Sequence, residues 1–90
     1  AKTIIIDTRE PSEYAASHVD GAINIPPADF MSGAYTQKLG DIAKDTPIIL
    51  YCRSGARSNT CSQILAGEGY TDLTNGVNEH HVRKLLETRE

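Results

Sequence analysis

Cys52 closes an apolar run, Pro47-Ile48-Ile49-Leu50-Tyr51-Cys52, and is followed at once by Arg53-Ser54-Gly55-Ala56-Arg57-Ser58. A strand that ends in a tight loop and then a helix aims such a sulfur at free backbone N–H groups, which stabilise negative charge. Those amides, together with the guanidinium of Arg53 or Arg57, favour thiolate over thiol, and thiolate is the nucleophilic form. Ser54, Gly55 and Ala56 are small enough for the backbone to curl closely around the sulfur. Arg57 closes the loop and can pair with an oxyanion, while Arg53, nearer the mouth, can guide one in. Ser58, as the first residue of the helix or its cap, can satisfy an N–H or hydrogen-bond a bound sulfur. A lowered Cys52 pKa is therefore expected, and two arginines beside a glycine make poor packing material at a strand end.

Such a loop needs a frame. The apolar Pro47–Cys52 run and an earlier β-branched run from Lys2 to Ile6, ending at Asp7, show the pattern of strands buried on both faces. Pro11 and the acids around it predict a helix start that runs to about His18. Val19-Asp20-Gly21 predicts a turn and Ala22–Ile25 a short strand stopped by Pro26-Pro27. Between Ala28 and Lys44 one or two short helices are expected around Phe30 and over Tyr35–Ile42, interrupted at Gly33 and Gly40. A helix from Ser58 carries Cys61, Ile64 and Leu65 on one face and stops near Gly69. Thr71–Thr74 predicts a strand, Asn75-Gly76 a turn, and Val82, Leu85 and Leu86 the apolar face of a last helix. Strands alternating with helices imply an α/β domain of three layers with a mainly parallel sheet.

The chain has 90 residues, 39% hydrophobic, which suits a single domain over residues 1–90. Nine Lys plus Arg against twelve Asp plus Glu give a net charge of -3 without a basic run, so nucleic acid is not an expected partner. No stretch approaches the roughly 18 apolar residues of a membrane span, so no membrane partner is expected. The two cysteines, nine positions apart, and the adjacent His80 and His81 do not make a metal site, and none is expected. Cys61 reads as a core residue. His18 is placed to satisfy carbonyls at a helix end, His80 and His81 at a solvated helix start, and Arg9 to pair with Glu13 or another acid near the first helix.

The run Cys52-Arg53-Ser54-Gly55-Ala56-Arg57-Ser58 resembles the active-site loop of the rhodanese family. Ile6-Asp7-Thr8-Arg9-Glu10 with Glu13-Tyr14 resembles that family's first strand and helix, and His18–Pro26 the segment after it. Gly69-Tyr70 through Gly76 resembles its closing strand, so the likeness covers nearly the whole chain. The resemblance implies a rhodanese-like fold and a ping-pong sulfurtransferase in which Cys52, the catalytic residue, takes sulfane sulfur from a small anionic donor such as thiosulfate. The persulfide then passes its sulfur to cyanide in an assay, or to a thiol, a small redox protein or a biosynthetic enzyme. Arg53, Ser54, Gly55, Ala56, Arg57 and Ser58 are then the substrate-binding residues, and no cofactor is needed.

Many members have a second glycine and a tryptophan where this chain reads Asn75-Gly76-Val77-Asn78-Glu79-His80, and the chain has no Trp. Two rival readings stay open. Cysteine phosphatases and arsenate reductases also close an amide cradle with arginine, but with one residue more than the four between Cys52 and Arg57. A binding module without catalysis is the other. For compartment, the sequence favours a bacterial cytoplasmic protein, with a processed periplasmic one as the alternative because Ala1 stands almost directly before the first strand.

Overall fold

The structure, a computed structural model, describes residues 3–40 and 42–89. Its elements in order are β1 (Ile4–Asp7), α1 (Pro11–Ala16), β2 (Ile23–Asn24), α2 (Pro27–Ser32), α3 (Tyr35–Leu39), β3 (Ile48–Tyr51), α4 (Ala56–Gly67), β4 (Leu73–Val77) and α5 (Glu79–Arg89). The four strands form one sheet in the order β2-β1-β3-β4, and every neighbouring pair is parallel. Parallel strands require crossovers that return the chain over a face of the sheet, which is why helices separate them.

Each face buries its own apolar cluster, and together they make the three layers expected. On one face Ile6, Ile48 and Leu50 meet Phe30, Tyr35 and Leu39 from α2 and α3 and Cys61 and Leu65 from α4. On the other, Ile5, Ile49 and Tyr51 meet Val19, Val82 and the partly buried Tyr14 and Leu86. Alternate residues of β1 and β3 thus serve opposite layers, and the unbroken apolar runs that encode them have no solvent side. The predicted β1 strand began at Lys2, which lies outside the described residues, as does Asp41 within the predicted Tyr35–Ile42 helix.

Several boundaries depart from the sequence reading: β2 is Ile23–Asn24 rather than Ala22–Ile25, β3 stops at Tyr51 rather than Cys52, and β4 is Leu73–Val77 rather than Thr71–Thr74. The first helix ends at Ala16, short of His18, whose Nδ1 lies 2.9 Å from the Tyr14 carbonyl oxygen. The helix expected from Ser58 begins at Ala56, because Gly55 turns the chain into it with φ of 93°, a left-handed conformation that glycine adopts freely. Asn75-Gly76 is not a turn but the middle of β4. Leu50 pairs with Asn75 and Tyr51 with Val77, so Gly76 is the extra residue of a β-bulge. A Cβ on Gly76 would lie 2.3 Å from Val82 Cγ2 and 3.2 Å from the Leu50 carbonyl oxygen, so α5 can press onto β4 only over a glycine. Gly76→Ala should therefore destabilise the fold by about 1–3 kcal/mol, read as a lower midpoint in chemical denaturation.

Candidate active site

Cys52 follows β3 directly at the carboxyl edge of the sheet, where loops after parallel strands converge. Its N–H donates to the Val77 carbonyl oxygen at 3.1 Å, which fixes the residue one step beyond the strand. The side chain is 2% exposed and faces the start of α4. Gly55 N–H donates to Sγ at 3.0 Å, and the Ser58 hydroxyl lies 3.8 Å from it. Burial pushes the Cys52 pKa up, but the Ser58, Ser54 and Gly55 amides and the Ser58 hydroxyl outweigh it, and the thiol is pulled down from 9.0 to about 7. Cys61 shows the opposite balance. It is fully buried on the α4 face of the sheet, and burial, with the nearby Cys52 charge adding to it, pushes its thiol up to about 11.

The structure brings the amides to the sulfur, and it pairs both arginines of the loop with an acid. Arg53 and Arg57 were expected to favour the thiolate directly. Their ion pairs are with Glu13 of α1, at 3.7 Å from Arg53 Nη1 and 3.3 Å from Arg57 Nη1. Ser54 and Ala56 are exposed at the rim, while Gly55 and Ser58 are buried. Ser58 is the third residue of α4 rather than its first or its cap. Arg9 forms a salt bridge, but to Asp7 and Glu79 rather than Glu13.

Two supports for the loop were missed in the sequence. Asn75 was read as half of a turn, yet its Oδ1 accepts from the Ser58 hydroxyl at 2.7 Å and the Val77 N–H at 3.0 Å, and its Nδ2 donates to the Gly55 carbonyl at 3.1 Å. The bulge at Gly76 is what carries that side chain toward the loop, and Val77 beside it adopts φ of 68°. An Asn-Gly pair reads locally as a turn, so nothing in the sequence around Asn75 pointed to this contact.

The second support lies behind the sulfur. Thr8 donates both its N–H and its hydroxyl to the Tyr51 carbonyl oxygen, each at 2.9 Å. Tyr51 donates its hydroxyl to Asp7 Oδ2 at 3.0 Å and accepts the Val19 N–H at 3.1 Å. Burial first, and the neighbouring Asp7 carboxylate after it, push the Tyr51 phenol well above its ordinary range, so it stays a donor. Asp7, 0% exposed, also accepts the Arg9 N–H, Nε and Nη2 at 2.7–3.1 Å. Among the described residues no cluster of side chains could hold a metal ion, and no helix is long and apolar enough to cross a membrane.

A parallel α/β sheet that seats one thiol in an amide-lined loop at its carboxyl edge defines a class of cysteine-loop domains. Within it, the sequence description of the rhodanese-like domain matches residues 1–81, and the chain belongs to that family. It is 37% identical over 70 residues to the thiosulfate sulfurtransferase PspE of Escherichia coli, covering 78% of this chain and 64% of the relative. It is 36% identical over 74 residues to the uncharacterised YqhL of Bacillus subtilis, covering 82% and 55%. The chain thus spans only part of the length of these relatives. A rhodanese from E. coli solved with anions superposes with a TM-score of 0.76 at 31% identity, covering 89% of this chain and 91% of that one. The human single-domain sulfurtransferase TSTD1 gives 0.71 at 26% identity, covering 98% and 84%. The fold is that of the rhodaneses, and the relatives make sulfur transfer the general activity class of the family.

Iodoacetamide should alkylate Cys52 at a rate that climbs as pH passes through about 7 and levels off above it, while Cys61 stays unmodified in the folded protein. Mass mapping of the labelled cysteine checks both. Asn75→Ala removes the clamp on Gly55 and Ser58, so the same titration should shift to higher pH and the rate at pH 7 should fall roughly two- to fivefold.

Proposed function

We propose that this domain, acting as one unit over residues 1–90, is a sulfurtransferase that carries sulfur as a persulfide on Cys52. The observation behind the proposal is the Gly55 N–H 3.0 Å from Sγ, within an amide cradle that pulls the thiol down to about 7. Near neutral pH much of Cys52 is then thiolate without a general base.

The thiolate attacks the sulfane sulfur of a donor such as thiosulfate. A new S–S bond forms at Sγ, the donor's own S–S bond breaks, and its electron pair leaves with sulfite. Negative charge moves outward from Sγ to the added sulfur, and the Gly55, Ser54 and Ser58 amides are the groups placed to stabilise it. Arg53 and Arg57 serve the donor at the rim, and Ala56 keeps the loop's entrance free of a bulky side chain. In the second half a nucleophile takes the outer sulfur and the electron pair of the broken bond returns to Sγ. Cyanide gives thiocyanate, and a thiol or a small redox protein gives a new persulfide. Sulfur is itself the carried group, so the cycle calls for no cofactor.

Intact mass after incubation with thiosulfate should rise by one sulfur atom and return to its starting value on adding cyanide, with Cys52→Ser showing no gain. A wild-type protein that never gains sulfur would refute the carrier and leave a non-catalytic binding module. The loop holds four residues between Cys52 and Arg57, a ring suited to one sulfur rather than a tetrahedral phosphate, so aryl phosphate should be hydrolysed negligibly.

A further inference from the structure

Glu13 is distant in sequence from the Cys52 loop, yet its carboxylate takes both of the loop's cations: Oε1 faces Arg57 Nη1 and Oε2 faces Arg53 Nη1. It does not depend on them for its position. Oε1 also accepts the Glu10 N–H at 3.1 Å, the return half of the capping box that starts α1. The Glu13 side chain is 24% exposed, against 75% for Arg53, so the acid is the inner member of the group. The Glu10 amide and the two arginines hold its acid below the usual carboxylate range against opposing desolvation. Its charge is therefore present whenever Cys52 is thiolate.

Two guanidinium charges at the mouth are thus set against one carboxylate and one thiolate, which leaves no net positive charge to draw in an anion. Attack on thiosulfate gathers three negative charges at this spot, the donor's two and the thiolate's one. Attack on an organic thiosulfonate or a persulfide gathers two. We infer that Glu13 sets the charge of the sulfur donor, disfavouring dianions such as thiosulfate relative to monoanionic sulfane donors. This rests on the sulfur-transfer reading. The chemistry is the same for either class: Sγ gains the sulfane sulfur, the donor S–S bond breaks, and its electron pair departs as sulfite, as a sulfinate, or as a thiolate.

Glu13→Gln removes the charge and keeps the oxygen that the Glu10 amide and Arg57 share. At low ionic strength it should raise kcat/KM for thiosulfate by roughly three- to tenfold, raise it less for methanethiosulfonate, and lose most of the gain as salt is added. Glu13→Ala, which removes the oxygen as well, should shift the donor ratio the same way. If neither variant raises the thiosulfate-to-methanethiosulfonate ratio, or if Glu13→Gln lowers it, the inference is wrong. A second readout needs no turnover: the sulfate concentration that halves the rate of Cys52 alkylation, each variant measured against its own unprotected rate. It should fall severalfold in Glu13→Gln, and an unchanged value overturns the inference. Absence of sulfur transfer in the wild type, with the sulfate shift present, would instead sink the functional reading.

Discussion

A carboxylate with no exposed surface is tolerable only where its charge is answered on the spot, and Asp7 is answered by the guanidinium of Arg9 two residues later. That pair does more than neutralise itself. Asp7 also takes the Tyr51 hydroxyl, Tyr51 takes the Val19 amide, and Arg9 reaches on to Glu79 at the start of α5 and to the Ser17 carbonyl after α1. β1, β3, α1 and α5 are therefore tied at one end of the sheet by a single polar knot. Removing one partner of such a buried pair typically costs about 3–5 kcal/mol, because the other charge is left stranded. Cys52 is the next residue after Tyr51, so the position of the sulfur is inherited from this knot.

In front of the sulfur the structure relies on backbone rather than on side-chain charge. Amides of the Cys52 loop and of the first turn of α4 lower the thiol pKa, while the two arginines are paired with Glu13. Backbone donors fixed by a helix need no reorganisation when charge appears on the sulfur, whereas an exposed guanidinium such as that of Arg53 is screened by water and salt. β4 contributes from the side: its bulge delivers the Asn75 amide to Gly55 and Ser58, and the Val77 carbonyl to the Cys52 N–H.

Much of this was legible in the sequence for a simple reason. The buried strands Ile4–Asp7 and Ile48–Tyr51 are apolar on both faces, a pattern that survives in one dimension, and the loop from Cys52 to Ser58 is contiguous. Short helices around Phe30 and Tyr35, separated at Gly33, followed from glycine placement alone. What escaped was whatever depends on residues far apart in sequence. An Asn-Gly pair is a good turn signal, and only the pressure of Val82 on Gly76 and the need to reach Ser58 make it a strand here. The Glu13 pairing spans forty-four positions to Arg57, and no local pattern distinguishes it from an ordinary solvated helix acid. The same blindness set the start of α4 two residues late, since the left-handed Gly55 belongs equally well to a loop or to a helix cap.

The burial of Cys61 bears on the lifetime of any sulfur held on Cys52. Domains that carry a second accessible thiol can discharge the first by closing an internal disulfide. Here the chain's other thiol is packed among Leu65, Ile6 and Leu50, and is protonated at physiological pH. If Cys52 carries sulfur as proposed, the cargo has no exit through Cys61. Discharge then waits on an encounter, and its tempo belongs to the abundance and reach of the acceptor rather than to the carrier.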